Sequence, residues 1–408
     1  MPPSPAGRHA RRSLLAAFSA TFLELDAWFM LLPLLTLTLG ARGVSPTVIG
    51  LFNASMWAGI LVSSLVAGRI TPRLGARGCF WLSGVLPLVA LGGFFASDSL
   101  WLWFPLYLMA GFGSGLRWIV SEALVAELSP PERRGRIVGL YQTMVGTTFI
   151  IGPALLGLTG AEGRLPLFVI GALLVASLVC AAALPSNVQT LANADAGSAP
   201  HLGDRHDASR PPGLLARLRA MPSLALAGFV GGVFESGTPG LMPLVGLHWH
   251  WTPEAAAMLV AINGVGGTLM MWPVGELADR LDHRRVSRVA VAALVLGSIA
   301  LPFAGTISAL AWAIVFCWGA AGGTLYTLNL LGAASVLEGA ALVDGAALLV
   351  GAYTVGGMVA PALGGAAFDH FGVPGLAMLL AAIALGAGLP AIRASRRGHA
   401  SARDSWLT

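Results

Sequence analysis

Four charged residues stand inside long apolar stretches of the chain: Glu24 and Asp26 in one, Arg117 in a second and Glu235 in a third. The chemistry open to such groups is narrow. A carboxylate or guanidinium at the centre of a bilayer costs at least about 2.5–3.5 kcal/mol, so each needs a partner, a proton or a water-filled cavity. A carboxyl group that binds a proton loses the charge that opposes passage through an apolar gate, and so becomes a proton carrier. A buried guanidinium holds an anion, tunes a nearby acid, or bonds to carbonyls of a neighbouring helix. Glu24 and Asp26 are two positions apart, about 200° around a helix, so they cannot share one face. One of them is expected to face a cavity and the other a structural partner. Glu122, five positions beyond Arg117 and about 140° away around the helix, is not the partner of that arginine.

Asn53, Asn263, Tyr326 and Asn329 are uncharged polar residues at the same apolar depth. Each is a candidate for substrate contact, and each equally suits the hydrogen bonds that tie one helix to another in a membrane. His248-Trp249-His250-Trp251 closes an apolar run and reads as an interfacial aromatic belt; two histidines are too few for a metal site. Other chemistries lack candidates. The chain has no lysine, hence no GxxxxGK[ST] nucleotide loop, and it contains neither HExxH nor GxSxG. Cys79, Cys180 and Cys317 are far apart within apolar runs and read as packing residues. The glycines of Gly111-Phe112-Gly113-Ser114-Gly115 are too closely spaced for a dinucleotide fingerprint and suit close helix packing. No catalytic residue, metal or cofactor is expected, and no nucleic-acid partner.

The elements that must position these residues follow from composition. Of 408 residues, 56% are hydrophobic and 11% charged, against about 25% charge in a soluble domain. Apolar runs near crossing length, roughly 20 residues, fall at about 13–39, 46–68, 79–97, 101–124, 137–159, 165–184, 222–247, 254–277, 288–305, 308–330, 345–366 and 373–392. The expectation is an all-α integral membrane protein with twelve transmembrane helices. The polar stretch from Pro185 to Ala220 divides it into six-helix bundles at 1–184 and 221–408, with a linker at 185–220 between them. If the amino terminus is cytoplasmic, 21 of the 24 arginines lie in inner segments, Arg42 and Arg164 lie outside, and Arg117 is within a span. This bias sets both termini in the cytoplasm and the chain in the cytoplasmic membrane.

The two bundles are copies. A shift of 207 residues lays Gly59 on Gly266, Gly68 on Gly275, Arg73 on Arg280 and Arg77 on Arg284. A shift of 208 lays Pro153-Ala154-Leu155 on Pro361-Ala362-Leu363, and Gly157 on Gly365. Since six spans intervene, the copies share one topology, and the axis relating them runs along the membrane normal, with the substrate site at the midplane. Aligning Pro33 with Pro243 puts Glu235 opposite Leu25, so both copies carry acid at one depth.

At these repeated positions, over nearly its whole length, the chain resembles the major facilitator superfamily, and more narrowly its uncharacterised YcaD-like branch. The family's loop between spans two and three carries Gly-x-x-x-Asp-Arg-x-Gly-Arg-Arg. The second half has Gly275, Asp279, Arg280 and Arg284, with Asp282 at the second glycine. The first half has Gly68, Arg73, Gly75 and Arg77, with Pro72 at the aspartate, and Glu122 is expected to supply the missing charge to the gate. The run Gly152-Pro153 to Gly157 resembles a span-five motif of exporters, without its adjacent glycine pair. The YcaD-like features are Glu122, the Arg134-Gly135-Arg136 turn leading to Tyr141, and Leu325-Tyr326-Thr327-Leu328. The resemblance implies a monomeric secondary active transporter that moves a small molecule by alternating access, with protons as the coupling ion and Glu24, Asp26, Glu235 and Arg117 as candidates for its cavity. Alternatives are an uptake symporter rather than an exporter and, from another class, a membrane receptor or membrane-embedded enzyme.

Overall fold

The computed structural model describes residues 5–130, 133–184, 218–280, 283–334 and 339–390; linker residues 185–217 and the carboxy-terminal tail from 391 lie outside that set, and with them every linker and tail arginine but Arg219. Among the described residues the regular structure is helical throughout. In chain order the helices are α1 (Pro5–Ala41), α2 (Pro46–Ala96), α3 (Leu100–Leu128), α4 (Arg134–Thr159), α5 (Leu165–Ala182), α6 (Pro222–Gly231), α7 (Met242–His248), α8 (Pro253–Arg280), α9 (His283–Ala300), α10 (Ser308–Ala334) and α11 (Gly339–Ile383). Seven helices among the described residues are long and apolar enough to cross a membrane. Two of these, α2 and the region of α11, turn at a single glycine, Gly75 (φ 68°, ψ 170°) and Gly372 (φ 63°, ψ −158°). Positive φ is open to glycine without steric penalty, and Gly75 is the glycine of the first-half loop motif.

Helices dominate because the bilayer offers backbone groups no water, so every N–H and C=O must be satisfied within its own segment. Side chains sort accordingly. Leu65 and Leu158 are 73% and 84% exposed, whereas Glu24 and Arg117 are fully buried: apolar groups cover the outside and charge sits within.

The contacts gather the chain into two units, residues 1–34 with 55–211, and residues 35–54 with 212–408. Within the first, α2 and α3 cross backbone to backbone. A Cβ on Gly59 would lie 2.0 Å from the Leu108 carbonyl oxygen, and one on Gly111 would lie 2.1 Å from that of Met56. Within the second, α8 and α10 cross in the same way: Gly266 abuts the Phe316 carbonyl and Gly319 that of Asn263, each at 2.0 Å. Gly59 and Gly266 are 207 residues apart and Gly111 and Gly319 are 208 apart. The sequence repeat is therefore also a repeat of helix crossings, each kept by small residues that let backbones approach.

The core of the first unit places Cys79 among Ala16, Ala17, Ala20, Phe80 and Leu116, as a small packing residue. In the second unit, Trp249, Trp251 and Trp312 stack ring to ring at 5.6 and 5.2 Å, beside the end of α7.

Candidate functional site

In the first unit the buried charges come from three elements. Glu24 is on α1, Ser114 and Arg117 on α3, and Phe80 and Ser83 on the second arm of α2. Glu24 Oε1 accepts a hydrogen bond from Ser114 Oγ at 2.6 Å. Ser114 precedes Arg117 by three positions, so both project from one face of α3. Arg117 donates from Nε to Ser83 Oγ at 2.7 Å and from Nη2 to the Phe80 carbonyl at 2.9 Å, with its guanidinium carbon 4.3 Å from the Phe80 ring centroid. Glu24 and Arg117 also attract one another as charges. Glu24 Oε2 and Arg117 Nη1, both buried, have no hydrogen-bond partner.

Asp26 points elsewhere. Its stretch of α1 meets α4 at Gly152, where a Cβ would lie 2.8 Å from the Asp26 carbonyl oxygen and 2.6 Å from Phe29 Cβ. Gly152 and Pro153 of the span-five run are buried and Gly157 is half-buried, so this run sets the close approach of α4 to the acid-bearing helix. Asp26 Oδ1 is buried without a partner.

In the second unit Glu235 sits on a π-helical turn, Gly232–Gly237, followed by a 3₁₀ turn, Thr238–Gly240. The local sequence explains the break. Gly231, Gly232, Gly237 and Gly240 weaken regular helix, and Pro239 supplies no N–H for its ladder. The Thr238 hydroxyl recovers the Val233 carbonyl at 2.7 Å, and Asn263 Nδ2 recovers that of Phe234 at 3.2 Å. Such π turns collect at functional sites. Tyr353 on α11 donates to Glu235 Oε2 at 3.3 Å and is hydrogen-bonded to Ser236 Oγ. Glu235 Oε1 faces glycine on two other helices, with Cβ positions on Gly267 and Gly323 falling 3.2 and 3.3 Å from it. The Tyr326 ring meets that of Tyr353 edge-on at 5.3 Å between centroids. Glu235 is partly accessible although protein packs around it.

The remaining polar candidates go to different places. Tyr326 joins the Glu235 cluster. Asn263 also donates to the Val315 carbonyl at 3.2 Å, Asn53 donates to Thr36 Oγ1 at 3.0 Å and the Gly240 carbonyl at 3.1 Å, and Asn329 donates to Leu325 of its own helix at 2.9 Å. The three asparagines thus commit their donors to packing. Gly68 and Arg73 are exposed, Arg77 half-buried. Glu122 Oε1 accepts from Trp118 Nε1 at 2.8 Å and Gln142 Nε2 at 3.0 Å, which makes it a tie between α3 and α4 in this conformation. Gly275, Asp279 and Arg280 lie on α8 and Arg284 on α9, with side chains outside the described set.

Ser83, Ser114, Ser236 and Tyr353 join the site although sequence reasoning passed over them. Only Ser114 left a signal, through its spacing from Arg117; Tyr353 lies 118 positions from Glu235, with no pattern linking the two.

A model of the Major Facilitator Superfamily matches residues 17–347. An uncharacterised MFS-type transporter of Yersinia enterocolitica is 29% identical over 340 residues, covering 83% of this chain and 84% of its own. The uncharacterised MFS-type transporter YcaD of Shigella flexneri is 26% identical over 375 residues, covering 91% and 93%. Two solved structures share the fold at low identity. The nucleoside transporter NupG has a TM-score of 0.71 at 14% identity, over 94% of this chain and 98% of its own. A D-xylose-proton symporter has a TM-score of 0.71 at 15% identity, over 93% and 96%.

Proposed function

Since this chain belongs to the major facilitator superfamily, we propose that it moves a small molecule across the cytoplasmic membrane by alternating access, as a monomer coupled to protons. The reading takes the chain as twelve spans in bundles 1–184 and 221–408, joined by the linker 185–220, with both termini in the cytoplasm. The observation that carries it is the pair of acids within apolar helices, Glu24 in one unit and Glu235 in the other, each beside a crossing that the repeat preserves. Alternating access exposes such groups to each side in turn. A carboxyl group that sheds its charge on binding a proton can make that passage. With no nucleotide loop in the chain, uphill movement needs an ion gradient, and a D-xylose-proton symporter of the same fold supports proton coupling as chemistry this architecture hosts. Export is proposed as the direction on the likeness of the run Gly152-Pro153 to Gly157 to an exporter motif, from which it departs by lacking the adjacent glycine pair.

Thermal-shift screening of the purified protein against metabolites and drugs identifies a ligand, whose flux is then followed in proteoliposomes under an imposed pH gradient. Accumulation should follow the gradient and collapse on adding a protonophore. Uphill accumulation that ignores the protonophore would overturn proton coupling, and binding without flux would favour a receptor.

Orientation has its own test. In a background lacking Cys79, Cys180 and Cys317, a cysteine placed at Arg164 should react with an impermeant thiol reagent in intact cells. One placed at Arg205, in the linker, should not. The reverse pattern would exchange every inner and outer assignment.

A further inference from the structure

The two acids occupy matching places but unlike surroundings. At a shift of 208 residues Ser114 falls on Gly322, Gly115 on Gly323, Arg117 on Leu325 and Trp118 on Tyr326. Glu24 bonds to Ser114, while Glu235 packs its backbone nitrogen and Cβ against Gly322 and its carboxylate against Gly323. One helix crossing therefore holds an acid in both units, and the arginine present at the first is a leucine at the second.

Among the described residues of the second unit, the helices around Glu235 carry no base that makes up the difference. No arginine, lysine or histidine occurs between Met221 and Leu247, between Pro253 and Ala278, or between Val289 and Phe368. The titratable groups facing Glu235 are Tyr353 from α11 and, through its ring, Tyr326 from α10; α8 offers Gly267 and Asn263, and the acid's own turn offers Ser236. None is a cation. An unbalanced charge in such surroundings is neutralised by a proton.

Access differs as well. Glu24 is fully buried, whereas Glu235 is partly accessible. A charge that only holds helices together has no need of water, but a proton carrier must meet it. The π turn adds backbone freedom at Glu235 that the regular helix around Glu24 lacks.

We propose that Glu235 is the site of the coupling proton, and that Glu24, bonded to Ser114 one turn from Arg117 on the same helix, is a positioning group. The assignment rests on the proton-coupled reading above and decides between the two acids that the repeat relates, Glu24 and Glu235. Loading forms one O–H bond on the Glu235 carboxylate with a proton from water, and unloading returns that proton to water. The Tyr353 and Ser236 hydroxyls mark a hydrogen-bonded path at the carboxylate.

Infrared difference spectroscopy of the full chain in liposomes tests this without a known substrate, because a protonated carboxyl group has a carbonyl stretch that shifts in heavy water. The wild type should show such a band, lost on alkalinisation. Glu235→Gln should remove it, while Glu24→Gln and Asp26→Asn should keep it. Tyr353→Phe should keep the band at an altered frequency, having lost the hydrogen bond to that carboxyl, and so tests the assignment even if Glu235→Gln folds poorly. A band that vanishes with Glu24 or Asp26, or ignores Tyr353→Phe, would overturn the assignment and leave proton coupling standing. No titrating carboxyl band in the wild type would sink the coupling and the assignment together.

Discussion

Arg117→Leu, which installs the residue found at the matching position of the second half, is expected to cost more folded protein than any other single change at the site. Arg117 holds Ser83 Oγ and the Phe80 carbonyl and sets its charge against Glu24. Removing it leaves the Glu24 carboxylate buried with Ser114 as its hydrogen-bond donor. Breaking a buried pair from one side typically destabilises by about 3–5 kcal/mol, whereas removing both charges is often close to neutral. Arg117→Leu should therefore give little monodisperse protein in detergent and a sharply lowered Tm. Adding Glu24→Gln should restore much of both. The wild type, both single variants and the double form a cycle that isolates the coupling. Strictly additive losses would show that Glu24 and Arg117 stabilise the fold independently, and the positioning role given to Glu24 would go with them.

Glu235→Gln should have its effect on energy coupling rather than on the fold. At one proton per substrate, a pH difference of one unit sustains about a tenfold substrate gradient. The variant should bring that ratio to about one, while exchange of labelled for unlabelled substrate suffers far less, because counterflow needs no net proton movement. Glutamine fits because it keeps the side-chain length, an acceptor for Tyr353 and an uncharged head between Gly267 and Gly323. If the acid served packing alone, yield would fall and the pH dependence of transport would survive. Accumulation retained in Glu24→Gln, Asp26→Asn, Glu235→Gln and the triple variant would point to a sodium-coupled or passive carrier.

The Gly59–Leu108 and Gly266–Phe316 crossings show how far sequence reaches when a pattern repeats. Apolar runs of crossing length leave helix as the structure that satisfies their backbone. A near-constant offset between glycines then relates one set of crossings to the other, because only small residues allow such an approach. Gly75 was marked only as a position of the family's loop motif, and the structure supplies the reason, a turn that needs positive φ. Charge in an apolar run is as plain, so Glu24, Asp26, Arg117 and Glu235 stood out from composition alone.

Which of these charges meet was decided only in three dimensions. Glu24 and Ser114 are 90 positions apart and Arg117 and Ser83 are 34 apart, and no periodicity links residues on different helices. Asn53, Asn263 and Asn329 looked alike as polar residues at depth, yet all three turn to backbone carbonyls, Asn53 and Asn263 to those of other segments and Asn329 to Leu325 of its own helix. Glu122 was expected to serve the arginines of the gate and meets Trp118 and Gln142, since its rotation on α3 faces α4. The amino-acid sequence by itself determined the helices, the repeat and the presence of buried charge, which depend on local polarity and spacing. Tertiary packing alone decided that one acid bonds to a serine one turn from an arginine and the other lies against two glycines and a tyrosine, because an ion's surroundings are set by the helices packed around it rather than by its neighbours in the chain.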